Sequence, residues 1–348
     1  MFFASDNAGP AHPSVVTALT NANQGYAMGY GGDAITDDVR DSLRRIFEAP
    51  QAMVHLAATG TAANVLILGT MANPWDTIFC TPESHINCDE CNAPEFYTGA
   101  KLTLVGAQDA KMTPATLRAA IEAEGNRGVH GPQRGPVSLT QVTERGTLYT
   151  LDEIRALTDV AREFGLQTHM DGARFANALV TLGCTPAEMT WKAGIDAVSF
   201  GGTKNGLIGA EACIFFDPAK EREFELRRKR GAHLFSKHRY LAAQMQAYLT
   251  DDLWLDLAAR ANASSNRLRA GLAGHNAVRV LYAPKANMTF FEAPRRLHQH
   301  LLGSGAVYYV EDGDVATGDV GGILTGRLVT DWSMADDSVD AFLALLHG

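Results

Sequence analysis

Between residues 53 and 216 the chain keeps exchanging short apolar runs for longer stretches of helical spacing, and this alternation restricts its fold more than any other feature. Runs at 53–58, 77–80, 101–105, 136–140, 167–170, 195–200 and 212–216 read as strands. Helical patterns lie between them, among them 114–124 and 151–164, and a further helix at 36–47 opens on Thr36 followed by acidic residues. Strands joined through helices pair in parallel, so the expectation is an α/β layered domain with a mostly parallel sheet. Ligands of such sheets sit at the carboxyl ends of the strands. The polar motifs at Thr59, His85, Asp171 and Lys204 all follow predicted strands, so they can converge on one edge.

After Pro218 the pattern changes. Long helical stretches at 220–230 and 241–273 give way to short strands at 278–282, 288–292 and 326–330, a helix at 295–302 and a closing helix at 335–346. The division predicted is a large α/β domain over 1–235 and a smaller C-terminal α+β domain over 236–348.

Among the motifs, Ser199-Phe200-Gly201-Gly202-Thr203-Lys204-Asn205-Gly206 places one lysine between glycine turns, with an apolar run on each side. Glycines there let backbone and ligand approach closely, and desolvation lowers a lysine pKa, the condition that suits a Schiff-base lysine. Upstream, His169-Met170-Asp171-Gly172-Ala173-Arg174 ends another strand. Thr59-Gly60-Thr61-Ala62-Ala63-Asn64 forms a strand-to-helix turn of small residues that can receive a phosphate on backbone N–H groups. An aspartate for a pyridine nitrogen, a lysine for a carbonyl and a phosphate turn together suggest pyridoxal phosphate.

The net charge of −9 and the single short basic run Arg227-Arg228-Lys229-Arg230, read as a solvated helix face, argue against nucleic-acid binding. Five scattered cysteines suit a reducing cytoplasm, and Cys88-x-x-Cys91 lacks a second pair to complete a zinc site, so no metal is expected. No apolar run is long enough to span a membrane, and no basic leader precedes Asp6.

Taken in order, Ser5-Asp6, Tyr30-Gly31-Gly32-Asp33, the Thr59 turn, Ser84-His85, the Asp171 and Lys204 motifs and Arg327 resemble the L-threonine aldolases of the aspartate-aminotransferase-type pyridoxal phosphate fold, the low-specificity pseudomonad branch in particular. The resemblance runs over nearly the whole chain. It implies a pyridoxal-phosphate-dependent transferase-like fold with a seven-stranded-type sheet, and retro-aldol cleavage of L-threonine, L-allo-threonine or phenylserine-like β-hydroxy-α-amino acids to glycine and an aldehyde. A β-eliminating lyase and a phenylserine-preferring aldolase are the alternatives.

By the same resemblance Lys204 carries the cofactor, Asp171 pairs with its pyridine nitrogen, Gly60 and Thr61 take its phosphate, and His85 stacks on its ring and is available for proton transfer. His130 matches a second active-site histidine placed to meet the substrate hydroxyl. Arg327 and Ser5 receive the substrate carboxylate, and Arg174 receives either that carboxylate or the cofactor hydroxyl. Thr203 stands where many relatives have serine before the lysine, and Asp89 where they have an aromatic residue. Helical spacing from His85 puts Asp89 in the substrate pocket. A homo-oligomer, dimer or tetramer, with active sites shared between chains is expected.

Overall fold

The computed structural model describes residues 1–347. Its central sheet holds seven strands: β1 Met53–Ala57, β2 Asp76–Cys80, β3 Lys101–Leu104, β4 Gln133–Thr140, β5 Thr168–Gly172, β6 Ala197–Gly201 and β7 Glu211–Phe215. Their order is β1-β7-β6-β5-β4-β2-β3. Only β7 runs against its neighbours, so the carboxyl ends of β1, β2, β4, β5 and β6 share one edge. The alternation in the sequence thus delivers its five following turns, which carry Thr59, His85, Glu144, Arg174 and Lys204, to one place.

Strands β1, β2, β5, β6 and β7 are buried along their whole length. That burial is why they read as continuous apolar runs and not as alternating ones. The helix Gly60–Met71, apolar on every side, is buried from Ala62 onward and packs between the sheet and the helix Glu221–Arg230. Helix Ala34–Ile46 starts earlier than the pattern suggests because Asp33 caps it, its Oδ1 accepting from the Thr36 N–H at 3.0 Å.

A second sheet, β8 Arg279–Leu281, β9 Met288–Pro294, β10 Tyr309–Val310 and β11 Ile323–Val329, is antiparallel throughout, in the order β8-β9-β11-β10. It has its own core, in which Phe3 joins Leu268, Leu272, Phe291, Leu301 and Phe342. The division expected at residue 236 does not coincide with a break in packing. Helix Arg239–Leu249 lies beyond it, yet Leu241, Met245 and Tyr248 belong to the core of the large sheet. Phe3 lies before it and packs against the small one.

The single helix expected over 241–273 is two, Arg239–Leu249 and Leu253–Ala273. Asp251 and Asp252 between them adopt left-handed φ values of 52° and 54°, a conformation that aspartate tolerates better than most residues. The basic run 227–230 is solvated as expected at Lys229 and Arg230 but not at Arg228, which is 4% exposed with its Nε and Nη1 without partners.

Candidate active site

The carboxyl edge of the large sheet encloses two adjoining cavities, an inner one of about 360 Å³ and an outer one of about 540 Å³. Asn7, His85, Glu144, Arg174 and Lys204 line both.

Lys204 sits in a single helical turn, Thr203–Asn205, directly after β6. The turn fits only because its flanking residues are glycines. A Cβ on Gly201 would meet the Ala173 carbonyl oxygen at 2.5 Å, and Gly206 holds φ +100°. Behind the lysine, Asn205 donates to the Tyr248 hydroxyl at 2.7 Å and to the Trp254 carbonyl at 2.8 Å, fixing the turn against the helical layer. Burial, followed by the Arg174 charge, lowers the Lys204 pKa, while Asp6, Asp171 and Glu211 oppose them. The buried Glu211 accepts from the Gly202 N–H at 2.9 Å, and burial pushes its carboxyl up to about 7.

Asp171 ends β5. Its Oδ2 accepts from Asn64 Nδ2 at 2.9 Å and its Oδ1 from the Ala173 N–H at 3.0 Å. Burial alone would raise its pKa, but His169, His85, Lys204 and the Ala173 N–H together hold it below the usual carboxylate range. His169, two residues earlier, is buried neutral; desolvation takes it down to about 4, and its Nδ1 meets Ser138 Oγ at 3.0 Å.

His85 opens the four-residue helix His85–Cys88. Its Nδ1 lies 2.8 Å from Glu90 Oε1, a contact that raises its pKa against the opposing effect of burial. Asn64 joins these groups, donating at 3.0 Å to the same Glu90 oxygen and accepting from Ser199 Oγ at 2.9 Å. A continuous path of hydrogen bonds therefore runs from Asp171 through Asn64 and Glu90 to His85.

Thr59, Gly60 and Thr61 line the inner cavity at the start of helix Gly60–Met71, where Thr59 Oγ1 caps the Ala62 N–H at 3.1 Å. A Cβ on Gly60 would find nothing within 4 Å, so the turn faces open space of the kind a phosphate can fill. Ser5 and Arg327 line the outer cavity. Arg327 lies on β11 with its guanidinium 5.7 Å from the Tyr309 ring centre, and it has no ion-pair partner among the described residues. Burial and then the Arg174 charge lower its pKa, marking a place that favours an anion.

Three expected placements change. His130 sits in an exposed turn, Gly128–His130, before the amino end of β4, while the cavities lie beyond Thr140 at the other end of that strand. The structure does not bring it to the site. Arg174 does line both cavities, but its Nε and Nη2 are engaged bidentately by Asp6 at 2.7 and 2.9 Å, and Asp6 also accepts from Asn287 at 3.0 Å. Asp89 does line the outer cavity together with Ser5 and Arg327, but as the exposed C-cap of a helix that has already ended and not as a helical neighbour of His85. The partner of His85 is Glu90, not Asp89.

Glu144 belongs to the site although its motif did not mark it. It follows β4 in a turn closed by Thr143 and Thr147, whose hydroxyls lie 2.7 Å apart. Its Oε1 accepts from the His85 backbone N–H at 2.8 Å, and its buried Oε2 has no partner. Its neighbour Arg145 reaches Glu311 at 2.8 Å across the mouth of the outer cavity. Among the described residues, no group of three or more His, Cys, Asp or Glu is placed to hold a metal ion. All five cysteines are unpaired.

The chain is similar to known proteins over most of its length. The family described as Beta-eliminating lyase matches residues 3–294. A low specificity L-threonine aldolase of Pseudomonas sp. (strain NCIMB 10558) is 39% identical over 308 residues, 88% of each chain. Its counterpart from Pseudomonas aeruginosa is 39% identical over 313 residues, 90% of each chain. The threonine aldolase of Leishmania major superposes with a TM-score of 0.92 at 25% identity, covering 99% of this chain and 98% of that one. Sphingomonas wittichii serine palmitoyltransferase, at 16% identity and TM-score 0.71 over 99% and 86% of the two chains, shares the fold.

Proposed function

The chain belongs to the beta-eliminating lyase family, with low-specificity L-threonine aldolases among its relatives, and from that premise we propose that it is a carbon–carbon lyase that cleaves L-threonine and related β-hydroxy-α-amino acids to glycine and an aldehyde with pyridoxal phosphate as cofactor. The observation that carries this reading is the convergence of Lys204, Asp171, His85 and the Thr59–Thr61 turn on one cavity. The residues fit the cofactor. A buried lysine with lowered pKa suits covalent attachment, a carboxylate held ionised suits the pyridine nitrogen, and the open cradle at Gly60 suits the phosphate. When bound, pyridoxal phosphate supplies an electron sink for the pair left on Cα as the Cα–Cβ bond breaks.

The chain's own groups supply the rest. Asp171 would keep a proton on the ring nitrogen of the cofactor, and Asn64 keeps Asp171 oriented. His85, held through Nδ1 by Glu90, would cover the ring. Arg327 and Ser5 take the substrate carboxylate in the outer cavity, which leaves the β-carbon near Glu144 and His85, where the two cavities meet. Lys204, whose pKa burial lowers, can hold or deliver a proton at Cα.

The same reading includes a homo-oligomer with shared active sites. Tyr26, Met28 and Tyr30 are exposed together in one glycine-rich loop, Lys229 lies 5.2 Å from the Tyr30 ring, and exposed Ile208 lines the inner cavity. A second copy would cover these groups. Among the described residues no helix is long and apolar enough to cross a membrane, and five unpaired cysteines suit the cytoplasm. The test is incubation with L-threonine, with and without added pyridoxal phosphate, followed by product analysis. Glycine and acetaldehyde in equal amounts are expected; ammonia and a keto acid instead would assign a β-eliminating lyase.

A further inference from the structure

The reaction needs a group to accept the proton of the substrate's β-hydroxyl, and within one chain the expected one, His130, lies at the opposite end of β4 from the cavities. Resting on the aldolase reading above, we propose that Glu144 is that catalytic residue: its carboxylate takes the β-hydroxyl proton during cleavage and returns one during the reverse addition.

The geometry has three parts. Glu144 lines both the inner cavity, where Lys204 and Asp171 lie, and the outer cavity with Arg327, so it stands where the reacting carbon must bridge the two. One carboxylate oxygen is fixed by the His85 N–H at 2.8 Å. The other is buried without a partner, so its lone pairs are available to a proton and to little else. The loop is rigid as well. Thr143 and Thr147 close it with backbone and side-chain bonds, and Arg145 pins it to Glu311 while lying 5.2 Å from the Tyr282 ring centre. A base held this way needs little reorganisation.

The charges around it are mixed. From its own loop comes Arg145, and from the segment 82–89 come Glu83, His85 and Asp89. From the strand ends come Asp171, Arg174 and Lys204, and from the small domain Glu311 and Arg327. Burial first, with Asp171 adding like charge, pushes the Glu144 carboxyl up to about 7, while its own backbone, the His85 N–H and the Thr140 hydroxyl work the other way. A carboxyl titrating there can serve both as base for cleavage and as acid for the reverse.

The step balances. The O–H bond breaks, its proton moves to Glu144, and its electron pair becomes the second C–O bond of the aldehyde. The Cα–Cβ bond breaks with its pair left on the amino-acid fragment, which takes one proton at Cα to become glycine. Glu144 then gives its proton to water.

The test compares threonine cleavage with exchange of the glycine α-proton, a reaction with no β-hydroxyl, in the holoenzyme and in Glu144→Gln, whose amide oxygen can still accept from the His85 N–H. Cleavage should fall by about 10²- to 10⁴-fold, exchange by no more than about threefold, and cofactor absorbance should stay unchanged. Glu144→Asp should recover part of the loss. Independently of turnover, carbon-13 spectra of glutamate-labelled holoenzyme should show two carboxyl signals titrating near neutrality, from Glu144 and Glu211, of which one is missing in Glu144→Gln. Parallel losses in both reactions, unaltered cleavage, or the loss of no such signal would each overturn the assignment of Glu144 while leaving the aldolase reading in place. Wild-type protein that exchanges glycine protons but never cleaves threonine would overturn both.

Discussion

Two carboxylates flank His85, and the structure treats them in opposite ways. Asp171 and Glu144 both follow central strands, and burial pushes both toward the neutral form. Asp171 nevertheless stays ionised. Two N–H donors reach its oxygens, and His169, His85 and Lys204 stand around it. Glu144 is also helped by donors, its own N–H, the His85 N–H at 2.8 Å and the Thr140 hydroxyl, but the charge that acts on it most is the negative one of Asp171. The two groups therefore teach that burial sets only a starting point, and that the sign of the charges facing a carboxyl decides the rest: His85 and Lys204 face Asp171, whereas Asp171 faces Glu144.

The comparison can be broken most severely at Lys204. Lys204→Ala should abolish the cofactor's long-wavelength absorbance and multiple turnover, because no other amine is positioned in the inner cavity. It also removes one of the cations that hold Asp171 down, so absorbance and turnover that survive in the variant would refute its role. Asp171→Asn follows, with turnover down by about 10²- to 10³-fold as the neutral amide loses its hold on the ring proton. The same change sharpens the contrast. Asp171 is one cause of the raised Glu144 pKa, so the acid limb of the residual pH profile should move to lower pH, and an unmoved limb would mean that the two groups do not sense each other.

Arg327→Ala serves as the control outside the pair. It should raise KM for threonine about tenfold with a smaller change in kcat, since a carboxylate contact is present in ground and transition state alike. A fall in kcat alone would place Arg327 elsewhere. The smallest effect concerns stability. Glu144 titrates at about 7 in the folded protein against 4.5 ordinarily, so between those values the native state keeps a proton that the unfolded chain has lost, and stability declines as pH rises through that window. Urea midpoints of Glu144→Gln should decline less over it than those of the parent protein. Some slope remains, because Glu211, also raised to about 7, is untouched.

Much of this site could be read from the chain. Lys204, Asp171, His85 and the Thr59 turn were legible because each follows an apolar strand, and parallel strands put such turns on one edge. The same rule points to Glu144, four residues beyond Thr140, yet nothing in Gln141-Val142-Thr143-Glu144 distinguishes a site residue from an ordinary loop carboxylate. His130 was assigned by resemblance alone, and its distance from the site within one chain depends on where β4 begins. Glu90 escaped because helical spacing from His85 picks Asp89. The helix stops at Cys88, and Cys91 and Asn92 take left-handed φ values of 50° and 58°, so spacing no longer predicts direction. The division of the long helical stretch at Asp251 and Asp252 was hidden for a like reason, since aspartates suit a helix start and a left-handed turn equally.

The ion pair between Asp6 and Arg174 carries a consequence for the order in which the molecule is made. Asp6 is separated by 168 residues from Arg174 and by 281 from Asn287, and it bonds to both. Synthesis runs from the amino end, so Asp6 leaves the ribosome long before either partner has been made. The large sheet can close once Phe215 has appeared, but this corner of the site must wait for the small domain. Contacts of such separation form late, because the entropy of closing the loop is lost before the contact is gained. Asp6 is thus among the residues locked late, and this corner of the site is complete only once both sheets have formed.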